Sequence, residues 1–377
     1  MNGILKLVIN QLRRGITKQE TLVTLPCRAA GGAVAPPADC SVTVEEAVSL
    51  WTQHFLQHGV SEPLSSSHYI IAHVLGKKTE SNDVFHQSHC FVFLIENIFP
   101  SPSLSFSICL TISLWKLESV ERRRLRETLT DKERECVWKL CSKRLTRMPV
   151  QYVIEEWDFR DLTLKMRPPV FIPRPETEEL VSLVLEHLQS EQVMKARGKA
   201  AVHCLEIGCG SGAISLSLLH SVPQLKGIAL DQSQEAVCLT KENASRLGLQ
   251  DRLEVRKLDI MKDAALIVRD YGPVDVLVSN PPYLFTEDMA SLEAEILKFE
   301  DHSALDGGLD GMSVISQILA LAPQLLTNEG RLYLEVDPRH PPLLQWLVEE
   351  QTEGLHYLGT SCDLTTRPRF CVLQRSG

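Results

Sequence analysis

"LEIGCGSGAISLSLL", residues 205–219, is an apolar run that passes through a turn of three glycines into a second apolar segment. Glycine lets a backbone turn tightly and lets a ligand approach the main chain, and a helix that starts there presents unpaired N–H groups. Asp231 stands 19 positions after Gly212, where a carboxylate can accept hydrogen bonds from ribose hydroxyls. The pattern predicts a site for a nucleoside-containing ligand, with a dinucleotide site and a ligand-free turn as the alternatives.

The alternation of strand-like and helix-like segments continues to the C-terminus. Runs that suit buried strands are VHCLEI, KGIALD, LEVRKL and PVDVLVS, followed by GRLYLEV, LHYLGT and RFCVLQ. Helical segments such as QEAVCLTKENASRLG separate the earlier runs. Alternating strands and helices predict an α/β fold with a parallel sheet that is covered on both faces. Only a loop joins the last two runs, which predicts an antiparallel closing pair.

An acidic residue also follows the third of these runs. The carboxyl ends of the strands in such a sheet converge on one crevice, so Asp259 is expected to lie near Asp231. Asp259 could accept a hydrogen bond from an adenine amino group, and Ile260 could cover the ring face. The alternative is that Asp259 only caps the next helix.

The fourth run ends abruptly in "VLVSNPPYLF", residues 276–285. Two prolines cannot continue a central strand, so they predict a rigid corner at its end. The Asn280 side-chain oxygen and the Pro281 carbonyl offer two acceptors at a fixed separation, which matches the two donors of a planar NH2 group. Pro282 stiffens the corner, and Tyr283 can pack on the face of an amide. If the crevice holds S-adenosylmethionine, the corner predicts methyl transfer to that nitrogen.

The whole chain has the composition of an ordinary globular protein, with 377 residues, 44% hydrophobic and 23% charged. This length predicts about two domains. A net charge of −9 argues against a protein that mainly coats nucleic acid. The 11 cysteines include no CxxC pair, so we expect free thiols in a reducing compartment and no metal site.

The first forty residues differ from the rest. Residues 1–40 contain five basic residues before Asp39 but only one acidic residue, Glu20, and their apolar residues fall at helical spacing near the start. This profile predicts a mitochondrial transit peptide, which would place the mature protein in the matrix. A disordered cytosolic tail is the alternative.

Residues 41–150 are expected to form a helical domain. Thr43 with Glu46 and Thr130 with Glu133 have the spacing of capping boxes, and the helix that Thr130 caps is predicted to extend to about Met148. Within this domain, residues 81–115 lack any clean period and form an atypical insertion. Their prolines and serines argue against a membrane anchor, which is the alternative.

Two further segments complete the predicted organisation. Alternation at 155–166 predicts a β-hairpin with Arg160 and Asp161 at its turn, within a linker of residues 151–174. Residues 175–377 then form the α/β domain that carries the glycine turn and the proline corner.

Several motifs together resemble the release factor glutamine methyltransferases. They are GCGSG and SNPPY, the upstream QYVIEEWDF and FIPRPETEELV, and the downstream ALDGGLDGM. The resemblance runs from about residue 41 to the C-terminus without 81–115, and with the basic leader it is closest to the mitochondrial form. It implies a Rossmann-like class I methyltransferase fold with a small N-terminal helical domain. It also implies methylation of the glutamine side-chain amide in the GGQ motif of peptide chain release factors.

The resemblance assigns roles to residues of this chain. The residues that would hold S-adenosylmethionine are Gly208, Cys209, Gly210, Ser211, Gly212, Asp231, Ile260 and Asn280. Asp259 is added to this set because of its position at a strand end. The glutamine would be held by Asn280, Pro281, Pro282 and Tyr283, of which Asn280, Pro281 and Tyr283 are the predicted catalytic residues. The helical domain would help to bind the release factor. We expect a monomer with no membrane partner and no requirement for nucleic acid.

Two features depart from the family pattern. Members usually have glycine where Glu155 stands, so Glu155 is expected to distort the hairpin, and residues 81–115 have no counterpart. Three other functions fit part of the sequence. An adenine methyltransferase would use NPPY but would need a basic target-recognition region, an inactive variant would keep only the fold, and a nicotinamide oxidoreductase would leave NPPY without a role.

Overall fold

The computed structural model describes residues 41–76, 125–190 and 201–377. The predicted leader, 1–40, and the predicted insertion, 81–115, lie outside the described residues. The strands are β1 Glu156–Phe159, β2 Leu162–Lys165, β3 Val202–Ile207, β4 Leu225–Asp231, β5 Leu253–Lys257, β6 Val274–Ser279, β7 Leu326–Glu335, β8 Leu355–Cys362 and β9 Pro368–Arg375.

The α-helices are numbered among the described residues. They are α1 Val44–Gln57, α2 Pro63–Val74, α3 Asp131–Leu145, α4 Val150–Ile154, α5 Thr177–Leu188, α6 Ala213–Ser221, α7 Gln234–Arg246, α8 Ala264–Tyr271, α9 Ala294–Phe299, α10 Ser313–Leu325 and α11 Pro341–Gln351. Short 3-10 helices occupy Gln250–Arg252, Thr286–Ser291 and His302–Ala304.

The seven strands after residue 200 form one mixed sheet. Its spatial order is β5-β4-β3-β6-β7-β9-β8. The pairs from β5 to β7 are parallel, whereas β9 pairs antiparallel with both β7 and β8. The predicted α/β fold with an antiparallel closing pair is confirmed. The chain moves outward from β3 to β5 and then returns to β6 beside β3, so the strand order reverses between β3 and β6, where open α/β sheets bind ligands.

Apolar side chains fill both faces of this sheet. On β6 all six residues are buried, and successive side chains point to opposite faces. Val276 and Val278 join the core beneath α5, α6 and α7, whereas Leu277 joins the core beneath α8, α10 and α11. Burial on both faces explains why Val276, Leu277 and Val278 are consecutive apolar residues instead of alternating with polar ones.

The N-terminal helices begin as the sequence predicts. Both capping boxes are formed, by Thr43 with Glu46 and by Thr130 with Glu133. The predicted extension of the second capped helix to Met148 is wrong, because α3 ends at Leu145. Arg147 has a left-handed φ of 74°, and the residue before a proline disfavours the helical region, so the chain turns before Pro149 and starts α4.

The predicted hairpin forms with a two-residue turn at Arg160 and Asp161. Glu155 does not distort it, since all four residue pairs of β1 and β2 are made. Glu155 instead ends α4 in the left-handed region, at φ 60° and ψ 19°. A side chain is disfavoured there by about 1–2 kcal/mol, so the departure from the family pattern is a local backbone strain.

Glu155→Gly is therefore expected to stabilise the protein by about 0.5–1 kcal/mol, because relief of the left-handed strain exceeds the added freedom of the unfolded chain. Denaturant unfolding measures this as a higher midpoint at unchanged slope. Glu155→Ala is the control, since alanine keeps the strain and should give no such gain. A midpoint that falls on substitution by glycine would contradict the expectation.

Candidate active site

The carboxyl ends of β3 and β6 open into a cavity of about 310 Å³. The predicted cofactor residues Gly208, Cys209, Gly210, Ser211, Asp231, Asp259, Ile260 and Asn280 line it, as do the predicted substrate residues Pro281, Pro282 and Tyr283. The structure thus brings the glycine turn and the proline corner together in one cavity, as the sequence predicts.

Gly212 is the one predicted site residue that does not line this cavity. It precedes α6 at φ 86°, and a Cβ atom there would lie 2.9 Å from both Leu216 and Thr240. The glycine therefore lets α6 and α7 pack closely. At Gly210, by contrast, a Cβ atom would meet nothing within 4 Å. The backbone at Gly210 is thus open to a ligand.

Asp231 is fixed at the end of β4 by two backbone N–H groups. The N–H of Gly210 donates to Oδ2 at 2.9 Å, and the N–H of Ser233 donates to Oδ1 at 2.8 Å. Burial raises the pKa of Asp231, and these two hydrogen bonds oppose the rise. Each carboxylate oxygen keeps a lone pair, so the group can still accept from hydroxyls of a ligand.

Glu206 is a cavity residue that the sequence reasoning missed. It lies in β3, is 1% exposed, and accepts hydrogen bonds from the Ser215 N–H at 3.0 Å and from the Ser215 hydroxyl. Burial raises the pKa of Glu206 to about 8, although the two hydrogen bonds from Ser215 act to lower it. The signal was an acidic residue inside an apolar run, LEI, directly before the glycine turn.

Asp259 lies two residues beyond the end of β5. Its carboxylate accepts from the Met261 N–H at 2.9 Å and pairs with the Lys262 Nζ at 2.6 Å. The Lys262 hydrogen bond lowers the pKa of Asp259 more than burial raises it. The carboxylate closes a turn, and Asp259 is one of the residues that line the cavity. The following helix, α8, has Asp263 at its N-cap. The contact with an adenine amino group stays a prediction.

The proline corner is oriented by a residue of α5. Asn280 Nδ2 donates to Thr177 Oγ1 at 3.1 Å. Among the residues that the structure describes, Asn280 Oδ1 has no hydrogen-bond partner. The free end of the carboxamide is therefore the acceptor, which is the end that the sequence reasoning required.

The proline corner is supported by three residues that the sequence did not suggest, namely Thr177, Glu335 and Arg369. Thr177 Oγ1 donates to Glu335 Oε2 at 2.8 Å, and the Tyr283 hydroxyl donates to Glu335 Oε1 at 3.1 Å. Arg369 Nη1 donates to the Tyr283 hydroxyl at 3.3 Å. Tyr283 is thus held by its hydroxyl, and burial raises its pKa above the ordinary value.

The cavity wall formed by α9 is supported by an ion pair whose carboxylate is buried. Leu292 and Ile296, in and beside α9, line the cavity. Just after α9, Glu300 accepts from the Ile172 N–H at 3.2 Å and pairs with Arg174 at 2.6 Å. The segment FIPRPETE therefore supports the wall as well as providing Thr177.

Metal-binding clusters and membrane-spanning helices are both absent from the described ranges 41–76, 125–190 and 201–377. No group of three or more histidine, cysteine or acidic residues there is arranged to hold a metal ion. No helix in the same ranges combines the length and apolar character needed to cross a bilayer.

A family model, two relatives and a solved structure match this chain. The protein-family model "Methyltransferase small domain" matches residues 162–303. The human "MTRF1L release factor glutamine methyltransferase" is 44% identical over 344 residues, which cover 91% of this chain and 90% of the relative. A "Release factor glutamine methyltransferase" of Deinococcus radiodurans is 35% identical over 64% of this chain and 79% of its own length. The crystal structure of TrmN from Thermus thermophilus is 19% identical with a TM-score of 0.35, covering 54% of this chain and 55% of that one.

Proposed function

This chain belongs to the release factor glutamine methyltransferase family, and we propose that it methylates the side-chain amide nitrogen of a glutamine in a peptide chain release factor. The glutamine is that of the GGQ motif, and S-adenosylmethionine is the methyl donor. The observation that supports this most directly is the Asn280 carboxamide at the cavity, whose NH2 group donates to Thr177 and whose oxygen has no hydrogen-bond partner within the described part of the chain.

The residues of the cavity suit an adenosyl ligand. Gly210 leaves the main chain open, Asp231 retains lone pairs for ribose hydroxyls, and Ile260 offers an apolar surface for a ring. With these features, the residues of the cavity fit S-adenosylmethionine. When bound, that cofactor supplies a methyl group activated by a sulfonium sulfur.

The corner residues position the nucleophile. Asn280 Oδ1 and the Pro281 carbonyl would accept the two N–H bonds of the glutamine side chain, which orients its nitrogen toward the cofactor side of the cavity. Pro281 and Pro282 hold both acceptors before the substrate arrives, so little ordering is needed on binding. Transfer would form a bond between the glutamine nitrogen and the methyl carbon, both electrons of the carbon–sulfur bond would go to sulfur, and the N–H proton displaced from the nitrogen would pass to solvent.

We also propose the setting in which this occurs. The basic, acid-poor composition of residues 1–40 supports import into the mitochondrial matrix. We propose that the chain acts as a monomer on a release factor, needs no nucleic acid, and uses its helical residues 41–76 and 125–150 to help bind that factor.

The test compares two classes of substrate in one assay. Purified protein is incubated with S-adenosylmethionine carrying a labelled methyl group and either a release factor or DNA and RNA. We expect transfer to the release factor alone, mapped by mass spectrometry to the GGQ glutamine and absent when that glutamine is changed to alanine. Transfer to nucleic acid alone would replace the proposal with an adenine methyltransferase, and transfer to none of them would indicate an inactive variant.

A further inference from the structure

A chain of hydrogen bonds connects the Asn280 carboxamide, which lines the cavity, with a buried carboxylate. Asn280 Nδ2 donates to Thr177 Oγ1, and Thr177 Oγ1 donates to Glu335 Oε2. Thr177 is 2% exposed and Glu335 is 1% exposed. A hydroxyl has one proton, and this one points to Glu335, so Thr177 presents only lone pairs to Asn280. Only the NH2 end of the carboxamide fits against it.

The other oxygen of Glu335 is held in the same sense. Tyr283 donates its phenolic proton to Glu335 Oε1, while Arg369 donates to the Tyr283 oxygen. A guanidinium group has donors only, so the Tyr283 proton cannot point toward Arg369. Both Glu335 oxygens therefore accept hydrogen bonds. Arg369 donates to Tyr283 and Tyr283 to Glu335 on one side, whereas Asn280 donates to Thr177 and Thr177 to Glu335 on the other.

We propose that Glu335 is a positioning residue whose carboxylate, through the Thr177 hydroxyl, holds the Asn280 carboxamide with its oxygen toward the substrate amide. This deepens the proposed function and rests on it. If the carboxamide turned over, its NH2 group would face the NH2 group of the glutamine, and two donors would oppose each other. Glu335 is not one of the residues that line the cavity, and it contacts the cavity residues through the hydroxyls of Thr177 and Tyr283.

The charged and hydrogen-bonding groups around Glu335 come from the start of α5, the segment after β6, and β9 with the loop before it. Glu176 and Thr177 are at the start of α5, Tyr283 follows β6, and Arg369 lies on β9, where Asp363 pairs with it at 2.9 Å. Burial raises the pKa of Glu335 to about 7, and Glu176 adds to the rise, whereas Thr177, Arg369 and Tyr283 oppose it.

The sign of the pH effect follows from the hydrogen-bond directions. Above this pKa the carboxylate accepts from Thr177, and the Asn280 oxygen faces the cavity. Below it, a protonated Glu335 can donate to Thr177, whose own proton then turns to Asn280 and selects the inverted carboxamide. We therefore expect kcat to rise as pH increases through about 7.

The first test is Glu335→Gln, which keeps size and removes charge. Because Arg369 donates to the Tyr283 oxygen, the Tyr283 proton still needs an acceptor. The new carboxamide should therefore direct its oxygen to Tyr283 and its NH2 group to Thr177. That arrangement inverts Asn280. We expect kcat to fall about 10- to 100-fold, as for loss of one oriented hydrogen bond, with the affinity for S-adenosylmethionine unchanged and the pH dependence near 7 abolished.

A second pair of variants separates orientation from folding. Thr177→Val removes the hydroxyl but keeps the shape, so it should lose activity as Glu335→Gln does, whereas Thr177→Ser should retain most of it. Asp275→Asn is the matched control. Asp275 is buried at the opposite end of β6 and accepts from the Thr327 hydroxyl at 3.2 Å and the His203 N–H at 2.9 Å. Its neutralisation should leave kcat and the pH profile unchanged.

The outcomes distinguish this proposal from the function on which it rests. If the wild-type protein methylates a release factor but Glu335→Gln keeps its kcat and pH profile, the positioning role is wrong and the function stands. Thr177→Val with wild-type kcat would overturn it equally. If the wild-type protein binds S-adenosylmethionine but transfers nothing to a release factor, the function fails and the positioning role falls with it.

Discussion

Asn280→Ala is expected to reduce the rate of methyl transfer to a release factor by about 10²- to 10³-fold, the range for loss of one preorganised hydrogen-bonding group at a reacting centre. The change removes the oxygen that has no partner among the described residues and that we propose accepts an N–H of the glutamine. The Pro281 carbonyl alone would leave the nitrogen free to rotate away from the cofactor. Single-turnover kinetics at saturating substrate would measure the loss.

The fold should survive this substitution. Asn280 follows β6 instead of lying within it, and Thr177 keeps its hydrogen bond to Glu335, so we expect a loss of at most about 1 kcal/mol in the free energy of unfolding. Binding of S-adenosylmethionine should weaken far less than transfer, because Gly210, Asp231 and Ile260 still line the cavity. Asn328→Ala is the control, because Asn328 is exposed at the far end of the neighbouring strand β7. Comparable rates for both variants would show that the corner does not orient the substrate.

The parts of this site that are local in sequence could be predicted from it. The glycine turn, Asp231 and the proline corner each follow an apolar run directly, and the alternation of strands and helices places such strand ends at one edge of a sheet. The end of α3 was misplaced because nothing in the local pattern reveals the left-handed conformation of Arg147.

The partners of the corner could not be predicted in the same way. Thr177 lies 103 positions before Asn280 and 158 before Glu335, so only the packing of α5 against the sheet brings them together. One signal was nevertheless present. Glu335 ends an apolar strand with an acidic residue, as Asp231 does, and the same reasoning applied to β7 would have identified it.

A second large effect is expected at the wall of the cavity. Glu295, in α9, accepts from Arg147 at 2.8 Å and 2.9 Å, from Arg144 at 3.3 Å and from the Ser61 hydroxyl at 2.8 Å. The side chains of Arg144 and Glu295 are only 3% and 6% exposed. Burial alone would raise the pKa of Glu295, but the hydrogen bonds from Arg147 and Ser61 outweigh it and lower the pKa to about 2. Glu295 is therefore ionised throughout the neutral range.

We expect Glu295→Ala to lower the free energy of unfolding by about 3–5 kcal/mol, because it leaves the buried Arg144 charge without its carboxylate. Denaturant unfolding measures the loss. Asp131→Ala is the matched control, since Asp131 pairs with Arg134 at 2.9 Å but is 92% exposed, and an exposed pair contributes less than about 1 kcal/mol. Equal losses in the two variants would contradict the buried ion pair.

A double variant identifies the origin of that loss. Glu295→Leu with Arg144→Met replaces the buried pair by apolar side chains of similar volume, and such replacements are often neutral or stabilising. If the unpaired charge causes the destabilisation, the double variant should recover much of the stability lost by Glu295→Leu alone. Because Ile296, the next residue of α9, lines the cavity, the double variant should also regain methyl transfer. Recovered stability without recovered transfer would mean that the Glu295 carboxylate has a role in the cavity beyond holding α9 against the N-terminal helices.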